Sequence, residues 1–134
     1  MKNTFLGTAV AVILFSSCLI GSSCGTRNKS AKAPHDTLVV NTTEIGKDIK
    51  GFKGPTPLEI TLVDGIVTEI KALPNEETPG FFQRVIDSGL LNAAVGKSAH
   101  DAATQSYDAV TGATFSSKAV IDNIRSGLRS LEAE

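Results

Sequence analysis

The stretch Ser106–Val120, SYDAVTGATFSSKAV, holds the densest group of hydroxyl and small side chains in the chain. Thr111, Thr114, Ser116 and Ser117 surround the pair Gly112 and Ala113, just ahead of an apolar repeat at Val120, Ile124, Leu128 and Leu131. That repeat has the spacing of one helical face. A helix beginning near Ser116 would turn its unpaired N–H groups, and the positive end of its dipole, back toward Thr111 to Ser117. Such a helix start readily receives a phosphate. Gly112 and Ala113 carry almost no side chain, so a bulky anion could approach the backbone while the hydroxyls donate to it. The same residues also allow a plainer role, in which Thr114 or Ser116 caps the helix. On the residues alone, both remain open.

Other chemistries fit less well. A Ser or Thr nucleophile needs a nearby base, and outside a linker-like segment that holds His35 the chain offers only His100. A P-loop places Lys before its Ser or Thr, whereas Lys118 follows Ser116 and Ser117. Cys18 and Cys24 are the only cysteines and both lie near the N-terminus. The region beyond them therefore has no disulfide, no thiol nucleophile and no cysteine-based metal site. With 13 basic residues against 14 acidic ones, there is no excess positive charge to hold a phosphate backbone, so no nucleic-acid partner is expected.

The elements that must position the hydroxyl cluster can be read upstream of it. "TLVVN", Thr37 to Asn41, is a β-branched run and predicts a first strand. "GFKGPTP", residues 51–57, is rich in turn formers. In "LEITLVDGIVTEIKAL", Leu58, Ile60 and Leu62 alternate with polar residues up to Asp64-Gly65, and a second β-prone arm follows. Asp-Gly between two such arms predicts a hairpin, because both central residues of a type I′ turn need positive φ. The second arm alternates poorly and leaves its register open. Around "ETPGFFQRVIDSG" the period changes: Thr78 suits an N-cap, Pro79 a first helical position, and Phe82, Val85 and Ile86 form a short apolar stripe that Gly89 ends. Residues 96–108 read as a polar loop leading to the hydroxyl cluster. The order predicts a small single α+β domain, an antiparallel sheet with packed helices, over residues 37–134.

The first 24 residues have another purpose. Lys2, an apolar run from Phe5 to Phe15 and small residues before Cys24 are laid out as a secretory leader. Gly21-Ser22-Ser23-Cys24 resembles the lipobox of bacterial lipoproteins, with Cys24 the expected lipidated residue and Cys18 a second candidate. Residues 25–36, small, polar and broken by Pro34, read as a flexible tether. The expected location is the cell envelope, exported and anchored in a lipid membrane.

Three segments then match a known pattern. "DAVTGATFSS" resembles the flavinylation motif Asp-x-x-(Ser/Thr)-Gly-Ala-(Ser/Thr) of the bacterial FMN-binding domain, with Asp108, Thr111, Gly112, Ala113 and Thr114 at its core and Ser116 and Ser117 after it. "ETPGF", residues 77–81, resembles the Glu-Thr-Pro-Gly segment of the same family, and "VDGIVTEIKAL" its hairpin. That domain occurs in the G subunit of the Rnf complex, in the C subunit of the sodium-translocating NADH:quinone oxidoreductase, and in small exported proteins. The resemblance implies FMN as cofactor, joined through its phosphate to the Thr114 hydroxyl by a separate flavin transferase. It also implies that Thr78, Pro79 and Gly80 lie against the flavin, with Phe81 or Phe82 as apolar neighbours. The implied role is electron carrier and not stand-alone enzyme, with redox partners in the membrane or envelope. Reversible binding of FMN or another phosphate ligand, and a non-redox surface module, are the alternatives.

Overall fold

The computed structural model describes residues 35–133; the leader, Cys18, Cys24 and most of the tether lie outside the described residues. Three antiparallel strands form one open sheet in the order β1 (Thr37–Asn41), β2 (Leu58–Val63), β3 (Ile66–Ala72). Three helices follow: α1 (Pro79–Asp87), α2 (Ala99–Thr104) and α3 (Thr114–Ser130), with a 3-10 turn at Leu91–Ala94 between the first two. The α+β class expected from the order of elements is the one observed. No helix among the described residues is long and apolar enough to cross a membrane.

Alternation in β2 works as the pattern dictates. Leu58, Ile60 and Leu62 are buried on one face, each worth about 1.5–3 kcal/mol on removal from water. The hairpin turns at Asp64 (φ 52°) and Gly65 (φ 78°), both in the left-handed region. In β3 the ladder slips: Thr61 faces Glu69 but Leu62 faces Val67, so Thr68 is the extra residue of a bulge. Its hydroxyl donates to the Thr61 carbonyl at 3.1 Å. The bulge shifts the side-chain phase, and Val67 and Ile70, three apart, both reach the core. That is why the second arm alternates poorly in sequence.

The polar loop expected over residues 96–108 is corrected by the structure. Gly96 and Lys97 run beside β3, with Val67 N–H donating to Lys97 O at 2.9 Å and Gly96 N–H to Val67 O at 2.8 Å. Ser98 then caps α2 by accepting from the Asp101 N–H at 3.1 Å. Ala102 and Ala103 are buried, and alanines at so short a helix leave no visible period.

Helix α3 lies closely over β1 and β2. A Cβ on Gly127 would come within 2.7 Å of Thr42 Cγ2 and 3.1 Å of Ile60 Cδ1, so the helix needs a bare backbone there. Val120, Ile124 and Leu128 are fully buried, as their spacing predicts. The two residues before β1 are bonded to the hairpin turn: the His35 ring contacts the Asp64 carboxylate, and the Asp36 N–H donates to Asp64 Oδ1 at 3.1 Å.

Candidate functional site

Helix α3 starts two residues earlier than expected, at Thr114, and no side chain caps it. The expectation that Thr114 or Ser116 would supply a cap is therefore corrected. A turn sets the start instead. The Ala113 N–H donates to Val110 O at 2.9 Å, with Gly112 at φ 79° in the position that demands positive φ. Ser117 locks this turn to the helix: its hydroxyl accepts from the Val110 N–H at 2.9 Å and donates to Ala113 O at 2.8 Å. Ser117 is fully buried and faces the protein.

Ser116 is buried too, and its hydroxyl donates to Glu77 Oε2. The other oxygen, Glu77 Oε1, accepts from the N–H groups of Lys53 at 2.7 Å and Gly54 at 3.1 Å. One carboxylate, 6 % exposed, thus holds the 51–54 loop against the first turn of α3. Burial on its own would raise the Glu77 pKa. The Ser116 hydroxyl and the backbone N–H groups of Lys53, Gly54 and Phe52 outweigh it, and the net effect lowers the pKa. Gly51 is required here, since a Cβ would stand 2.7 Å from Glu77 Oε1. Asn123 adds a second tie from α3, to the residues just after that loop, donating to Thr56 Oγ1 at 3.2 Å.

The loop carries Phe52 to the N-terminal part of α1, where its ring meets Phe81 edge-on at 5.6 Å. Between these rings and the start of α3 lies a cleft of about 240 Å³, lined by Phe52, Phe81, Gly112, Ala113, Thr114 and Phe115, with Ser116 at its base. Phe52 and Phe115 are 56 % and 68 % exposed, large apolar surfaces left open at the mouth. Thr114 is exposed at the first position of α3, and its hydroxyl has no hydrogen-bond partner among the described residues. The structure therefore offers an apolar slot beside an uncapped helix start and an unengaged hydroxyl. A planar aromatic ring carrying an anionic tail matches that combination.

A family model described as an FMN-binding domain matches residues 51–129. The chain belongs to the FMN-binding domain family. No curated protein and no solved structure matches it. FMN is the cofactor of the domain, and the cleft fits its two halves. The three phenylalanine rings suit a flavin ring system, and the start of α3 suits the phosphate.

Within the FMN-binding domain the expected site residues fall into separate places. Gly112, Ala113, Thr114 and Ser116 line the cleft together. Thr111 is exposed at the turn but is not part of the lining. Asp108 lies in a different depression, beside Ser88, Gly89 and Tyr107. Thr78 is the N-cap residue of α1 by position, with Pro79 in its first turn, as the sequence suggests, but its hydroxyl makes no cap bond and is buried without a partner. Pro79 and Gly80 are exposed just before Phe81, which does line the cleft. Phe82 packs on the core, near Ile70 and Leu91.

Three further contributors escape a reading of the residues alone. Phe52 sits in what reads as a turn. Glu77 belongs to the recognised ETPGF segment, yet its partner Ser116 is 39 residues away. Arg84 reads as a surface residue of α1, but its Nη1 stands only 2.6 Å from where a Gly112 Cβ would be.

Proposed function

We propose that this FMN-binding domain protein is an exported, membrane-anchored electron carrier whose FMN is joined through its phosphate to Thr114 by a separate flavin transferase. One observation carries the attachment point. Of the four hydroxyls in the cluster, Ser116 and Ser117 are buried and already bonded, and Thr111 lies outside the cleft. Thr114 alone is exposed, unengaged and in the cleft lining. Attachment forms a bond from Thr114 Oγ1 to the flavin phosphorus and breaks the bond from that phosphorus to the leaving group of the activated donor. The hydroxyl proton passes to the transferase.

The protein's own part is to hold and shield. Phe52, Phe81 and Phe115 would exclude water from one side of the ring system, and the free N–H groups of the first turn of α3 would face the phosphate. Bound FMN supplies one- and two-electron chemistry, while the protein sets its position and surroundings. A covalent link would prevent loss of the flavin outside the cytoplasm. Cys24 would carry the lipid anchor, and donor and acceptor would be redox proteins of the membrane or envelope.

Intact mass of the chain co-produced with a flavin transferase tests the attachment. An FMN-sized increase is expected in the wild type and not in Thr114→Ala; an increase that persists in Thr114→Ala removes the assignment. Acid precipitation distinguishes reversible binding, since a reversibly held flavin leaves its colour in the supernatant.

A further inference from the structure

We infer that Arg84 is the residue that recognises the FMN phosphate, a role resting on the proposed placement of that phosphate beside Thr114. Three observations converge on its guanidinium. It lies over the Phe81 ring, 5.9 Å from the centroid, and Phe81 is a wall of the cleft. Its Nη1 fills the space that a side chain on Gly112 would take, 2.6 Å from the Cβ position. Gly112 lines the same cleft, two residues before Thr114. Among the described residues the Arg84 guanidinium makes no hydrogen bond and no ion pair.

A planar cation with a fork of donors thus lies over an aromatic ring and beside a bare backbone, with no ion-pair partner among the described residues. The buried carboxylate behind the cleft does not neutralise it. Glu77 turns both oxygens away, to Ser116 and to the 51–54 loop. The first turn of α3 presents unpaired N–H groups beside the same glycine. The guanidinium, outside the cleft lining itself but beside Gly112 and Phe81, would join the helix N-terminus in holding a phosphate ester. The aromatic walls alone would hold a flavin without regard to its phosphate.

The test compares FMN with riboflavin, which lacks the phosphate. The full-length chain, produced without a flavin transferase, is titrated with each flavin for wild type, Arg84→Ala, Arg84→Gln, Arg84→Lys and Thr114→Ala. Wild type is expected to bind FMN about tenfold more tightly than riboflavin, the scale of one charge-assisted hydrogen bond. That preference should fall as salt is raised. In Arg84→Ala and Arg84→Gln the two flavins should become nearly equal through loss of FMN affinity alone, at unchanged melting temperature. Arg84→Lys should keep part of the preference, and Thr114→Ala should keep most of it. A wild type with no preference, an Arg84→Ala variant that retains it, or an equal loss of both flavins overturns the inference. Failure of the covalent reading shows separately, as a missing mass increase with the transferase while the FMN preference stands.

Discussion

The Ser116 hydroxyl donates to Glu77 Oε2 across 39 residues of sequence, inside the protein and directly behind the cleft. Glu77 is the only described residue that binds both the 51–54 loop and α3 through a single carboxylate. Phe52 rides on that loop and Thr114 on that helix, so these two walls of the cleft share the Glu77 fastening.

Removing the fastening should therefore be expensive. Glu77→Ala leaves the Ser116 hydroxyl and two backbone N–H groups without a partner, and a loss of about 2–4 kcal/mol is expected in denaturant unfolding. The ionised form is the one these donors favour, so the folded-state pKa lies below the ordinary 4.5. The stability contributed by ionisation is then complete above that ordinary value and is lost as pH falls through the lowered one. Acid unfolding of the wild type should steepen in that window. Glu77→Gln should be less stable at neutral pH and show a flatter acid limb.

Ser117 and Thr114 should respond unequally to the same change. Ser117→Ala strips an acceptor from the Val110 N–H inside a fully buried position, and about 1–2 kcal/mol of stability should be lost. Thr114→Ala, at an exposed first helical position, should stay within about 0.5 kcal/mol of wild type. Thermal melts of the two variants check this directly.

Gly112→Ala combines two costs. A left-handed φ of 79° strains any residue with a Cβ by about 1–2 kcal/mol, and the new methyl group would stand 2.6 Å from Arg84 Nη1. The arginine can swing aside because only the far end of its side chain is touched. Modest destabilisation and a reduced preference for FMN over riboflavin are expected together, and titration with both flavins separates the second from the first.

Phe52→Ala should act on flavin and hardly on folding. The ring is 56 % exposed and its main contact is the edge-on meeting with Phe81, so the melting temperature should change little. Affinity for FMN and for riboflavin should fall alike, by about five- to tenfold, through loss of apolar contact with the ring system.

How far the sequence was legible depended on whether a signal was local. The Asp64-Gly65 turn, the β2 alternation and the apolar face of α3 all state their structure within a few residues, and each is found as read. The phase of β3 was not readable, because the Thr68 bulge changes which residues face inward only once the partner strand is in place. Helix α2 hid behind alanines, and its one cue was Ser98 three residues before Asp101. At the site, the hydroxyl cluster and the helix after it share one short segment, but the turn at Gly112 that starts α3 in place of a side-chain cap does not show there. Nor does the division of labour among the hydroxyls. That Ser116 serves Glu77, and that Ser117 serves Val110, depends on which groups the fold brings close. Arg84 was the least visible of all, because on α1 itself nothing separates it from an ordinary solvated arginine.

The bonds from Lys53 and Gly54 to Glu77 also alter what kind of object the 51–54 segment is. By position it is a surface loop between β1 and β2, the sort of stretch that opens independently and often. Fastened through a buried carboxylate to the first turn of α3, it belongs to the same cooperative opening unit as that helix. Phe52 and Thr114 stay joined while the Glu77 bonds hold, so opening of that side of the cleft is tied to a buried carboxylate and not to the flicker of a free loop.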